Sequence, residues 1–210
     1  MNFFWRFSLI WCMTLALFFC TSCAQKGPIF VTPGRHLQPV GPFFTDPVVL
    51  VQPFEEKFGE TESIGELSAG SKTQKIMIHG KNLSQALGGF VAQELIKEKI
   101  PFAADGGWDR TLPGLANLST PARLVIGGTI THVVVRVADT ITHTKYSLEL
   151  DISCTLGLPL QKKIIARNVH VSEEMITIRQ RKEIIEDLLD RGLAEAARQI
   201  VTKFSAATYF

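Results

Sequence analysis

The chain lacks a dominant charge: 22 Lys and Arg stand against 20 Asp and Glu, a formal net charge of +2 over 210 residues. With both signs interspersed there is no basic field able to grip a phosphate backbone, so nucleic acid is not an expected partner. Cysteine is scarce where folding would use it. Cys12, Cys20 and Cys23 lie in or beside an apolar N-terminal stretch, which leaves Cys154 alone in the body. A lone thiol cannot build an intramolecular disulfide framework and gives no metal spacing. His36, His79, His132, His143 and His170 are scattered, with no pair at ligand spacing. Nucleophile elbow, phosphate loop and dinucleotide fingerprint are all missing. Asp105 and Asp109 flank Gly106, Gly107 and Trp108 in a pattern that reads as turn chemistry before it reads as a calcium loop. No cofactor or metal is expected, and the chain is not expected to be an enzyme.

What is present is alternation. From Tyr146 the apolar residues Leu148, Leu150, Ile152 and Cys154 alternate with Ser147, Glu149, Asp151, Ser153 and Thr155. A strict period of two means a strand with one face in a core and one in water. Cys154 falls on the apolar face and reads as a small buried hydrophobe. Residues 123–171 as a whole read as a three-stranded antiparallel meander. Within it the apolar phase is even at Leu124, Ile126 and Ile130 and odd at Val133, Val135 and Val137. One extra residue produces such a switch, and Gly127 and Gly128 offer a site nearby for a bulge. A turn near Thr140 would set His132 opposite Glu149 as a cross-strand polar pair.

Two amphipathic helices can cover the dry face. In the first, about 82–99, Leu83, Leu87, Phe90, Val91, Leu95 and Ile96 recur at three- and four-residue spacing behind a candidate N-cap, Asn82. Gly88 and Gly89 inside it suggest close approach to a strand. In the second, about 178–204, Ile184, Ile185, Leu188, Leu189, Leu193, Ala196, Ala197, Ile200, Val201 and Phe204 hold one stripe, with Thr177 and Gln180 resembling a capping box. Val48 to Val51 reads as a strand buried on both faces. Residues 54–75 show no sustained period and read as a long loop. The fold expected is α+β: a mixed, largely antiparallel sheet under two helices. Trp108, in the irregular stretch 102–121, is a candidate partner contact if exposed, or a lid on a core edge if folded back.

The first residues read as a leader. Arg6 precedes a run from Phe7 to Cys20 that is almost wholly apolar, shorter than the roughly 20 residues a spanning helix needs. Thr21, Ser22 and Cys23 follow. This resembles a bacterial lipoprotein signal peptide, in which small residues precede an invariant lipid-accepting cysteine. The resemblance implies cleavage after residue 22 and acyl chains such as palmitate on Cys23. Cys20 stands where the pattern prefers Leu, Val or Ile, and Ala24 in place of Asp implies sorting to the outer membrane, on its periplasmic face. Residues 23–46, with Pro28, Pro33, Pro39 and Pro42, read as an extended tether, and 47–210 as one domain. An acyl chain contributes roughly 0.8 kcal/mol per buried methylene, so two or more make a durable anchor.

The order of elements, with the run from Ala122 to Gly128, resembles the small α/β lipoproteins of the Gram-negative envelope. YajG-like lipoproteins are nearest in layout, with LptE-like and transporter-auxiliary lipoproteins sharing much of it. The resemblance implies a non-catalytic binding or assembly subunit of an envelope complex. Direct handling of lipid or lipopolysaccharide in intermembrane transport is the alternative. Replacing Cys23 by Ser is expected to remove the acyl mass and release the protein from membranes. Unchanged mass and retention on fractionation would reject the anchor.

Overall fold

The computed structural model describes residues 27–38, 47–57, 63–69, 72–80, 82–104, 108–118, 122–178 and 182–208. The leader, Cys23 and Gln180 lie outside them. The sheet is organised around β6 (Leu124–Asp139), a strand of 16 residues. Along one edge it pairs antiparallel with β7 (Thr144–Leu158), from Val125 opposite Gly157 to Asp139 opposite Thr144. Its other edge is shared. β2 (Val49–Glu56) runs parallel along the first half, and β3 (Ser63–Ala69) runs parallel along the second. β4 (Lys72–Ile78) folds back on β3, and β1 (Ile29–Val31) lies parallel to β4 outside it. β5 (Phe102–Ala104) adds to β2, and β8 (Lys163–Thr177) adds to β7.

Helix α1 (Leu83–Lys97) and helix α3 (Lys182–Thr208) pack on one face of this sheet; a short helix, α2 (Leu112–Ala116), lies between them in sequence. The buried stripe of α3 includes Ile185, Leu188, Leu189, Leu193, Ala196, Ala197, Ile200, Val201 and Phe204. It meets Tyr146, Leu148, Leu150, Ile152 and Cys154 of β7 in one continuous core. Asn82 caps α1 through its side chain, which accepts from the Gln85 N–H at 3.3 Å. On the opposite face most of β6–β8 is wet, laced by the pairs Arg136–Glu149, Lys145–Glu174 and His170–Asp151 at 2.7–2.8 Å.

Several expectations are corrected. The sheet is mixed, as expected, with its long β6–β7 and β7–β8 ladders and the β3–β4 pairing antiparallel. Four of the seven pairings among the described residues, all short, are nonetheless parallel, and no pattern in the sequence marks which strands these would be. Alternation identifies a strand, but the direction of its neighbour depends on distant chain. Within the loop expected at 54–75, the described residues are largely strand: the end of β2, all of β3 and the start of β4. The apolar set of β3 and β4 is sparse (Ile64, Leu67, Ile76), because one face is wet and a register shift at Ser63–Gly65 breaks the period. The extra residue of β6 is Thr131, between Ile130 and His132, and Gly127 and Gly128 pair regularly. The β6–β7 turn is centred one residue later than expected, so His132 faces Asp151 and not Glu149. Thr177 closes β8 and is not a helix cap. Ile96 is exposed, and Gly89 makes room for the side chain of Leu37, not for a strand.

Part of the stretch expected to be a tether belongs to the domain. Residues 29–31 form β1, with Val31 fully buried, so the domain begins well before residue 47. Pro28 and Pro33 bracket this strand without occupying it, and extended backbone at an edge tolerates such neighbours.

A proline inside a central strand normally forbids it. Pro53 is accommodated by a register shift between Val51 and Phe54. Arg110 then donates to the carbonyls of Pro53 (3.3 Å) and Gly128 (3.1 Å), supplying donors where the proline has none. Gly65 is needed for a different reason: a Cβ there would fall 1.8 Å from the carbonyl oxygen of Val135. Gly65→Ala is therefore expected to part β3 from β6 and cost about 1–3 kcal/mol, measured as a lowered urea midpoint.

Candidate functional site

At the end of the sheet where β6 begins, the C-terminal parts of α1 and α3 converge over a cavity of about 480 Å³. Ten of its lining side chains are apolar, contributed by Val48 and Val49 beside β2, Leu124 and Ile126 of β6, and Leu158 of β7, with Leu160 just beyond. Leu95 and Ile100 come from the end of α1, and Val201 and Phe204 from α3. Arg123 and Gln161 are the two polar contributors, both exposed at the rim. Arg123 enters no ion pair or side-chain hydrogen bond among the described residues. The volume falls within the range of small-molecule sites, and an apolar wall with a few polar groups is their usual chemistry.

The end of α1 builds one wall. Ile100 N–H donates to the Leu95 carbonyl at 2.9 Å and Lys99 N–H to the Ile96 carbonyl at 3.0 Å. That double closure, with Lys99 at φ 57°, is a Schellman motif. It folds Ile100 back over Leu95, and both face the cavity. On the other side Leu160, 81 % exposed, stands at the mouth on the 3-10 turn Pro159–Gln161.

The residues singled out by sequence do not meet here. Trp108 is buried (5 % exposed) and its ring nitrogen donates to the Thr111 carbonyl at 3.0 Å. It packs with Leu50, Leu115 and Val125 in a small cluster on the otherwise wet face, so it folds back and offers no free contact surface. Beside it Gln52 is buried, with its amide nitrogen unpartnered. Cys154 is buried, and desolvation pushes its thiol up to about 12, which makes it an inert core residue. Asp109 accepts from the N–H and hydroxyl of Thr111, bonds that hold its carboxyl below the usual range and belong to a turn. Asp105 lies outside the described residues. No group of three metal-ligating side chains occurs among the described residues.

A second cluster went unpredicted. Glu186 and Asp190, four residues apart on α3, are both buried. Asp190 accepts from the backbone N–H of Gly34 at 2.6 Å and of His36 at 2.9 Å. Glu186 accepts from the N–H of Thr32 at 3.1 Å and from Arg35 at 3.3 Å, while the His36 ring reaches Asp187 at 2.8 Å. These bonds clasp the N-terminal segment to α3. The only signal in the sequence was a pair of acids flanking the apolar stripe. Burial raises the Asp190 carboxyl above its ordinary value, against the lowering effect of its two N–H donors.

Comparison with known proteins is informative for the fold alone. No family model matches the chain, and no curated protein matches it in sequence. A DUF330-family protein from Xanthomonas campestris superposes with a TM-score of 0.52 at 8 % identity, covering 85 % of this chain and 98 % of its own. A hypothetical protein from Chlamydia trachomatis gives 0.46 at 10 % identity, over 76 % and 96 %. A minor lipoprotein from Acinetobacter baumannii gives 0.40 at 12 % identity, over 77 % and 94 %.

Asp190→Ala leaves the buried Gly34 N–H and the part-buried His36 N–H without their acceptor and is expected to cost about 1–3 kcal/mol in urea denaturation, with Asp190→Asn in between. Because the folded-state pKa of Asp190 is raised, its contribution is fully present below the unfolded value and is lost as pH rises through the folded one. The parent's stability relative to Asp190→Asn is therefore expected to fall as pH rises above about 4.

Proposed function

We propose that this chain is a non-catalytic binding subunit of the Gram-negative cell envelope, anchored in the outer membrane through acyl chains on Cys23. The YajG-like layout and the lipoprotein pattern around Cys23 support the location. The cavity between the two helix ends carries the proposed role. An apolar volume of about 480 Å³ with Arg123 at its rim suits the acyl part of an anionic lipid, the chain in the cavity and the head group near the guanidinium. Among the described residues no helix is long and apolar enough to cross a membrane.

Docking onto an envelope complex is the second reading, and β8 favours it. Among the described residues this strand of 15 residues pairs only with β7, and such a free edge can accept a strand from a partner.

Two measurements separate these readings. Native mass spectrometry and lipid extraction of the membrane-purified protein are expected to find a non-covalent lipid in addition to acyl groups on Cys23. Ile100→Trp, which fills the cavity, is expected to remove most of that lipid while leaving the fold and the anchor intact, and Arg123→Glu to weaken retention of anionic lipids. A wild-type protein free of bound lipid that crosslinks to an envelope protein from positions on β8 would replace the lipid role with the docking role.

A further inference from the structure

We infer that the end of the domain opposite the cavity rests in the bilayer surface, with Ile141, Ile176 and Ile178 set among the lipids. This rests on the proposed acylation of Cys23. Ile141, in the β6–β7 turn, is fully exposed; Ile176 and Ile178, two residues apart at the end of β8, are 64 % and 87 % exposed. The pairing of Thr144 with Thr177 brings the turn and the end of β8 to the same rim of the sheet. Isolated exposed isoleucines are ordinary, but three on one rim need an apolar neighbour.

The path of the N-terminal chain says which neighbour. The Gly27 carbonyl accepts from the Gln74 side chain at 2.9 Å. Gln74 stands opposite Leu67, Leu67 opposite Val137, Val137 opposite Tyr146 and Tyr146 opposite Met175. Gly27 thus belongs to a transverse row only a few residues short of the β6–β7 turn. β1 is parallel to β4, β4 antiparallel to β3, and β3 parallel to β6. Followed backwards from β1, the chain therefore heads toward the turn. Cys23 is four residues upstream of Gly27, a contour of at most about 14 Å. An acyl anchor on so short a lead holds this rim at the membrane, where even a weak insertion is favoured by high effective concentration. The clasp of residues 32–36 on α3 prevents the segment from peeling off to lengthen that lead. Lys145 is matched by Glu174 at this rim and Lys72 of β4 is exposed beside it, so the three isoleucines supply the apolar part of the contact.

The test uses the full acylated protein in vesicles of phosphatidylethanolamine and phosphatidylglycerol containing a doxyl-labelled phospholipid. Cys154 is buried, so a thiol added by Ile141→Cys can be labelled selectively with an environment-sensitive fluorophore; Leu160→Cys provides the control at the far end. Doxyl lipid is expected to quench the probe at 141 and spare the one at 160. In the double variant Ile176→Ser, Ile178→Ser, quenching at 141 should fall several-fold. An acylated protein whose probe at 141 is not quenched overturns this inference and leaves the anchor standing. So does a probe shielded from a water-soluble quencher yet untouched by doxyl lipid, which would place a protein there. A mature chain without acyl mass overturns the anchor and this inference together.

Discussion

Everything in this domain is hung on the two edges of β6. One edge is satisfied by a single antiparallel partner over its length, whereas the other is divided between β2 and β3, both parallel to it. Two strands can share an edge only if the chain leaves and rejoins the ladder. Pro53 and the Arg110 guanidinium stand at a shift inside the β2 ladder, and β2 leaves only after Lys57 bonds the Ile130 carbonyl. Gly65 stands where β3 joins, with no room for a side chain beneath the Val135 carbonyl. Thr131 adds its extra residue to β6 between the two halves. The apolar phase of β6 changes there because the strand must serve two partners and still keep one face on the helices.

The same axis separates the molecule into two ends. From Leu124 to Asp139 a strand of this length spans about 50 Å. At its start the helix C-termini and the sheet corner leave an apolar cavity. At its finish are the turn, the end of β8 and the approach of the N-terminal chain. Long β6 and β7 are therefore a spacer as well as a core: they hold the apolar cavity far from the rim through which the proposed anchor enters. α3 couples the two, since its first half clasps residues 32–36 through Glu186 and Asp190 and its last turns wall the cavity through Val201 and Phe204.

Buried carboxylates on a helix face are costly unless their acceptor capacity is used, and here it is used on backbone N–H groups of a segment with no regular structure of its own. This explains how a proline-bearing stretch becomes part of the domain. Composition marks such a stretch as unable to pack by itself, which is correct. Its order comes from α3, more than 150 residues away in sequence.

Periodicity alone determined the meander, both main helices and nearly all of their buried faces, because side-chain direction along a strand or helix is a local property. The inert Cys154 and the Asn82 cap were legible for the same reason. Tertiary structure decided the parallel partners of β6, the strands hidden in residues 54–75, the burial of Trp108, the cavity and the clasp. Each of these depends on which distant segments meet. A residue's own neighbours in sequence carry its pattern, but its partner across a ladder or its place at the end of a sheet exists only after the chain has closed around β6.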